Sequence, residues 1–420
     1  MTARTRVLYL GAGGTGMGNA TGQTLRCLLS EMPGDRLLQV VYDAEQIESP
    51  FIRIPESAAL LDVVMRAPVR LLRRARGASS IPAPGGLNDA IKVSGDGLRA
   101  RVWRSLRAAA DIAPVRLPRS FIDEIRRFEP EAIYTLLGNV RMMKLAIALS
   151  KKLDIPIVPH FMDDWGGTLY PNGELGGLAR RSVERSFDRV IARSPDLVCI
   201  GERMAEEYQD RFDRRAFVAA FGAEEAVTSE FTASARAPRT LVYAGGLHLG
   251  REAVLRWAAT ALKNTGWHLE VYSPSPGVSH PNITYKTKVP VADIPTVLAA
   301  ADALLFVESL DPAIADYTRL SVSTKTAQYV VANRPTVLVG PARQASIELL
   351  ERSLPSRTSF ASLDGQSAAS LSTFLAEASR RDIPSRPLPA EFAAKKMRAG
   401  LEEALSISIA DWRERAGEKG

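Results

Sequence analysis

Lys325 ends a short stretch in which hydroxyls and a cation crowd together. Ser321, Ser323 and Thr324 precede it, and Thr324 to Ala332 has the spacing of a helix. A helix N-terminus offers unpaired backbone N–H groups and the positive end of the peptide dipoles. An ammonium in that first turn runs against the dipole, so the residue types call for an anionic partner such as a phosphate. An N-cap followed by a solvated lysine is the plainer reading that the residues leave open.

A second candidate lies near the N-terminus. Arg6-Val-Leu-Tyr-Leu-Gly-Ala-Gly-Gly-Thr-Gly reads as a short buried strand entering a glycine-rich loop, in which Gly11, Gly13 and Gly16 match G-x-G-x-x-G. Helical spacing follows at Leu25, Leu28 and Leu29. A dinucleotide site would need an acidic residue about 20 residues further on. The second strand instead ends at Asp43, and Gly18 and Gly22 prolong the loop. Gly13, Gly14, Thr15 and Gly16 are therefore expected to contact a phosphate or a second substrate, or to form a tight turn.

Positioning these loops requires strands, and the apolar runs supply them. Leu37 to Tyr42, Ala132 to Leu136, Ile155 to Pro159 and Leu197 to Ile200 alternate with helical stretches at Val140 to Lys151 and Gly176 to Ala192. Such alternation predicts a parallel sheet covered on both faces by helices. Glu224 to Arg239 lacks periodicity and reads as a linker, after which Thr240-Leu-Val-Tyr-Ala-Gly-Gly restarts the theme. Helices over Arg251 to Asn264, Val291 to Ala301 and Thr324 to Ala332 alternate with strands at His268 to Tyr272, Ala303 to Val307 and Thr336 to Val339. The expectation is an α/β chain of two Rossmann-like domains, 1–225 and 239–390, with ligand in the cleft at the carboxyl ends of the strands. A helix over 391–415, apolar on one face, is expected to return to the first domain.

Composition narrows the setting. The 420 residues suit two domains, and 54 basic against 47 acidic residues give +7, which favours anionic small molecules without demanding nucleic acid. Cys27 and Cys199 stand far apart, so no disulfide framework is indicated and a cytoplasmic setting is expected. The longest apolar run, Ile294 to Val307, is broken by Asp302 and falls short of a span. Ala58 to Arg76 mixes bulky aliphatics with five arginines, so it is either a helix with a solvated basic face or a peripheral contact with an anionic membrane. Gly77 to Leu98, rich in Gly, Pro and Ser, reads as a loop that could cover an adjacent cleft.

The C-terminal half carries a family likeness. Tyr243-Ala-Gly-Gly, then Val289 to Val307, then Leu320-Ser-Val-Ser-Thr-Lys-Thr-Ala-Gln-Tyr with a late Arg334-Pro resembles the donor domain of family-4-like glycosyltransferases of GT-B fold. Within that group it is similar to the branch common in bacterial surface-polysaccharide synthesis. The resemblance implies a retaining transfer from a nucleotide-diphosphate sugar, a co-substrate rather than a cofactor, to a saccharide or lipid-linked acceptor.

It further implies that Gly245, Gly246, Ser321, Ser323, Thr324 and Gln328 bind the donor, with Lys325 and Arg251 neutralising the leaving diphosphate. Gly13 to Gly16 would then lie on the acceptor side. Pro156 to Trp165 closes a strand with His160, Asp163 and Asp164, where related transferases carry a His and an Asp facing the sugar. A histidine there can hydrogen-bond the sugar, and a carboxylate can orient an acceptor hydroxyl. The four histidines have no metal-ligand spacing, so no metal is expected. The chain departs from the family at Val322-Ser323, where proline is usual, and at Leu320 and Gln328, where glutamates are usual. Those departures keep two alternatives open: a sugar-nucleotide 2-epimerase of the same fold, and a degenerate transferase-like binding protein.

Overall fold

Strands buried on both faces come out as continuous apolar runs, and here they assemble into two parallel sheets. The computed structural model describes residues 5–44, 47, 49–55, 58, 98–170, 173–233, 238–247, 250–275, 277, 279–287, 289–378 and 380–418. The first sheet holds β1 (Val7–Gly13), β2 (Leu37–Asp43), β3 (Phe51–Arg53), β4 (Ala132–Thr135), β5 (Ile157–Phe161), β6 (Asp196–Cys199) and β7 (Arg215–Val218). Its order is β3-β2-β1-β4-β5-β6-β7. The second holds β8 (Arg239–Ala244), β9 (Trp267–Tyr272), β10 (Ile283–Lys286), β11 (Ala303–Val307), β12 (Thr336–Val339) and β13 (Arg357–Phe360), ordered β10-β9-β8-β11-β12-β13.

All neighbouring strands run parallel. In each sheet the order reverses beside its first strand, between β1 and β4 and between β8 and β11. These are the switch points at which open α/β sheets form crevices. The two sheets belong to separate compact units: one runs to Ala220 and resumes at Arg398, and the other spans Phe221–Met397.

The Ala394–Gly417 helix carries the chain back into the first unit. Ser408 donates to the buried Asp196 carboxylate at 2.8 Å, and Trp412 Nε1 donates to the Asp154 carbonyl at 3.1 Å. Arg398 pairs with Glu31 at 2.9 Å, and the Arg193 guanidinium lies 4.8 Å from the Trp412 ring centre.

The stretch read as a linker is built into the second unit where it is described. Its backbone bridges at Val227 to Pro387 and Phe231 to Ile383, and the Asn333 side chain donates to the Ser229 carbonyl at 2.9 Å. Mixed small and polar residues gave no periodicity because these bridges are isolated rather than parts of a continuous strand. The arginine-rich run 58–76 lies, beyond Ala58, outside the described residues, as do 77–97 of the Gly/Pro/Ser-rich segment. Among the described residues no helix is long and apolar enough to cross a membrane.

Candidate functional site

At the switch point of the second sheet the chain leaves β8 through Gly245, whose φ is +155°. A Cβ there would lie 2.7 Å from Lys325 Cε and 3.2 Å from the Tyr243 hydroxyl, so the end of the lysine side chain occupies the space that glycine leaves open. Lys325 opens the Lys325–Ala332 helix, and its Nζ lies 4.8 Å from the Tyr243 ring centre, within cation–π range. The Tyr243 hydroxyl donates to the Gly246 carbonyl at 2.7 Å, which closes the turn.

Arg251 opens the Arg251–Ala261 helix behind Gly250, whose φ of 71° is left-handed. Only 8% of Arg251 is exposed, yet its donors are poorly used. Nη1 reaches the Gly246 carbonyl at 3.5 Å, Nη2 lies 3.5 Å from Glu308 Oε2, and buried Nε has no hydrogen-bond partner. Well-made guanidinium–carboxylate contacts are about 2.7–2.9 Å. The side chain is therefore held in place but not satisfied.

Glu308 follows directly on β11, with its N–H donating to the Val339 carbonyl at 2.8 Å. Its buried carboxylate faces Arg251, Lys325 and Ser346, which begin three different helices. None of the three N-cap residues makes a side-chain capping bond, although the Lys325 N–H donates to Ser323 Oγ at 3.4 Å and the Ala345 N–H donates to the Arg319 carbonyl at 3.0 Å. Burial raises the Glu308 pKa, and the two cations and Ser346 only partly oppose this. Desolvation, followed by repulsion from Arg251, lowers Lys325 to about 7, with Glu308 acting the other way. Burial thus weakens the hold of Lys325 on its proton, and an added anion would favour the charged ammonium.

Ser321 and Ser323 join this cluster through Ser346. The Ser323 N–H donates to Ser346 Oγ at 3.0 Å, and Ser346 Oγ donates to the Ser321 carbonyl at 3.1 Å. Thr324 is the N-cap residue but makes no side-chain capping bond, and Gln328 is half-buried one turn along the same helix. The structure therefore gathers Gly245, Gly246, Arg251, Ser321, Ser323 and Lys325, and adds Tyr243, Glu308 and Ser346, which sequence reasoning had not singled out. The available signal for Glu308 was a carboxylate placed immediately after a wholly apolar strand.

The first unit arranges its candidates differently. His160, in β5, has no exposed surface, and its Nδ1 lies 2.6 Å from the Tyr134 hydroxyl. Desolvation lowers its pKa to about 3 against a smaller opposing effect of the Ala219 backbone, so the ring is neutral at pH 7. Direct contact between His160 and a sugar is not available in this structure. Asp163, half-buried beyond the end of β5, retains exposed surface.

In the glycine-rich loop, Gln39 fixes Thr15: Thr15 N–H donates to Oε1 at 3.0 Å, and Nε2 donates to the Thr15 hydroxyl at 2.9 Å. Gly13 packs against Met17 and Gly14 against Gln39 and Ile47, while Gly16 lies between them and the Ala20–Leu29 helix. Asn19 caps that helix by accepting from the Gly22 N–H at 2.9 Å. At the neighbouring switch strand, the Asp111 carboxylate accepts from the N–H groups of Val140 at 3.2 Å and Arg141 at 3.0 Å. Both helix N-termini beside this switch point therefore carry side-chain caps, unlike those around Lys325.

Solved structures align with this fold along nearly the whole chain. HepE of Anabaena in complex with UDP aligns with a TM-score of 0.53 at 12% identity, over 96% of this chain and 100% of that one. HepE in complex with UDP and glucose gives 0.52 at 12%, over 96% and 99%. A glycosyltransferase from Rickettsia africae ESF-5 gives 0.51 at 9% identity, over 96% and 99%. The fold is GT-B. No protein-family model matches the sequence. No curated protein matches it either. Within the GT-B frame, the Arg251–Glu308–Lys325 cluster occupies the switch point of the second Rossmann-like unit, the place in such sheets where a ligand enters.

Proposed function

We propose that this GT-B chain is a glycosyltransferase that takes its sugar from a nucleoside-diphosphate donor, with the diphosphate seated on Arg251, Lys325 and the N–H groups opening their helices. One observation carries this reading: Arg251 is buried with Nε unpartnered and its contacts to the Gly246 carbonyl and Glu308 both at 3.5 Å, beside the Lys325 ammonium. Burying such a cation is costly unless a strong acceptor completes it. Two phosphate oxygens suit the guanidinium fork. HepE, of the same fold, was solved with UDP and with UDP and glucose, which supports a nucleotide donor.

In the proposed reaction the bond between the anomeric carbon and the phosphate oxygen breaks, and its electron pair leaves on the diphosphate. Arg251 and Lys325 neutralise that charge. The acceptor hydroxyl attacks from the same face, with retention, and passes its proton to the departing phosphate oxygen. Gln328 is assigned to the donor ribose, with Ser321, Ser323, Thr324, Gly245 and Gly246 around the diphosphate. The Gly13–Gly16 loop and Asp163 are assigned to a saccharide or lipid-linked acceptor, with His160 acting through its neighbours. The finer reading is a family-4-like enzyme of surface-polysaccharide or glycoconjugate synthesis, working in the cytoplasm or at the inner membrane face.

A thermal-shift screen of uridine, guanosine and thymidine diphosphates and their sugars tests the proposal. One nucleotide should raise the melting temperature in a concentration-dependent way. No shift with any nucleotide or nucleotide sugar contradicts the donor assignment. The anomeric configuration of the product, read by NMR, tests retention. Release of an epimerised donor without acceptor would identify an epimerase instead.

A further inference from the structure

The negative charge at the cluster is supplied by the chain itself, and three facts define what it does. First, Glu308 is buried, lies 3.5 Å from Arg251 and is attracted to both Arg251 and Lys325, which open different helices. Second, its contact with Arg251 is long, at 3.5 Å, and Arg251 Nε is left without a partner, so the carboxylate holds the guanidinium loosely. Third, beside the switch point of the first unit a carboxylate from another kind of element, Asp111 of the Leu98–Ile112 helix, accepts from two helix N–H groups at 3.0 and 3.2 Å and from the Tyr170 hydroxyl at 2.8 Å. One switch point is thus closed by a well-bonded internal carboxylate, and the other is only provisionally neutralised.

We propose that Glu308 is a built-in counter-anion: it holds Arg251 and Lys325 in position, and a diphosphate competes with it for both cations on binding. This rests on the reading of the cluster as a diphosphate site. Two cations this close repel each other, and Glu308 keeps them together. The same charge repels an incoming diphosphate, which limits affinity and favours release of the product diphosphate. Glu308 is a positioning residue in this account, with Tyr243, Arg251, Lys325 and Ser346 as the polar and titratable groups around it.

The test is calorimetric titration of the full chain with inorganic pyrophosphate and with UDP, comparing wild type with Glu308→Gln and Glu308→Asp. Removing the charge should tighten pyrophosphate binding about tenfold. Glu308→Asp, which keeps the charge, should stay near the wild-type value. If donor turnover is measurable, Glu308→Gln should lower KM and kcat together, because product leaves more slowly. A merely structural glutamate would give weaker binding in Glu308→Gln. Unchanged or weaker pyrophosphate binding by a folded Glu308→Gln protein overturns the proposal, and Glu308→Ala is read the same way should the glutamine variant not fold. Pyrophosphate binding that tightens while UDP binds no better than pyrophosphate would sustain the counter-anion role and instead count against the nucleotide-sugar reading.

Discussion

Gly245 and Lys325 are in direct steric register: a Cβ on Gly245 would fall 2.7 Å from Lys325 Cε. The end of a side chain 80 positions later in sequence thus fills the space beside Gly245, with its ammonium over the Tyr243 ring. Gly245→Ala should displace the ammonium and add backbone strain of about 1–3 kcal/mol. The expected outcome is a modest loss of melting temperature with a larger, at least tenfold, loss of transfer. Unaltered nucleotide affinity in Gly245→Ala would show that the position of Lys325 does not matter.

The lowered pKa of Lys325, about 7, makes two pH predictions. The folded value lies below that of an ordinary lysine, so the unfolded chain binds more protons between pH 7 and the usual lysine range. Stability at this site therefore increases as pH rises through that window, and the penalty of a buried charge is complete below about 7. Melting curves of wild type should gain on those of Lys325→Met between pH 7 and 9. Anion binding should take up a proton at pH 7 to 8, so apparent nucleotide affinity falls as pH rises. Titrations in buffers of different ionisation enthalpy measure that uptake, and zero uptake refutes the assignment.

His160 behaves in the opposite compartment of pH. Its pKa of about 3 lies below the ordinary histidine value, so its contribution is intact above about 6.5 and is lost as pH falls toward 3. The imidazole NMR signals should not titrate between pH 5 and 8. Tyr134→Phe removes the partner of Nδ1 and should cost about 1–3 kcal/mol in chemical denaturation. A normal titration near 6.5 would contradict the buried, neutral ring.

Asp111 is predicted to act on stability alone. Asp111→Ala deprives Val140 and Arg141 of their acceptor and frees the Tyr170 hydroxyl, which should cost about 1–2 kcal/mol. Denaturant midpoints measure the loss, while UDP affinity should be unchanged.

The legible part of the fold was its interior. β4, β5, β11 and β12 are buried along their whole length, and each is an apolar run bounded by loop residues, so sequence alone located them within two residues. The edge strands β3, β7, β10 and β13 are short and partly exposed, with Arg, Lys or Ser among their residues, and carry no such signal. The site divides the same way. Arg251, Lys325 and Gly245 stand at strand ends or helix starts, where local chemistry points to an anion. Glu308 and Ser346 acquire meaning only when β11 and the Ala345–Ser353 helix bring them to Arg251, 57 and 95 positions earlier in the chain. Gln39 was hidden likewise, as a lone polar residue in an apolar strand whose partner Thr15 lies across the loop.

The central claim is that Arg251 and Lys325 hold a sugar donor's diphosphate. Its most direct measurement is release of nucleoside diphosphate from the nucleotide sugar chosen by the thermal screen, with acceptor present, by wild type and by Lys325→Ala. The account predicts turnover by wild type, and a folded Lys325→Ala protein with transfer reduced at least a hundredfold, about 3 kcal/mol of lost stabilisation. Full turnover by Lys325→Ala would contradict it.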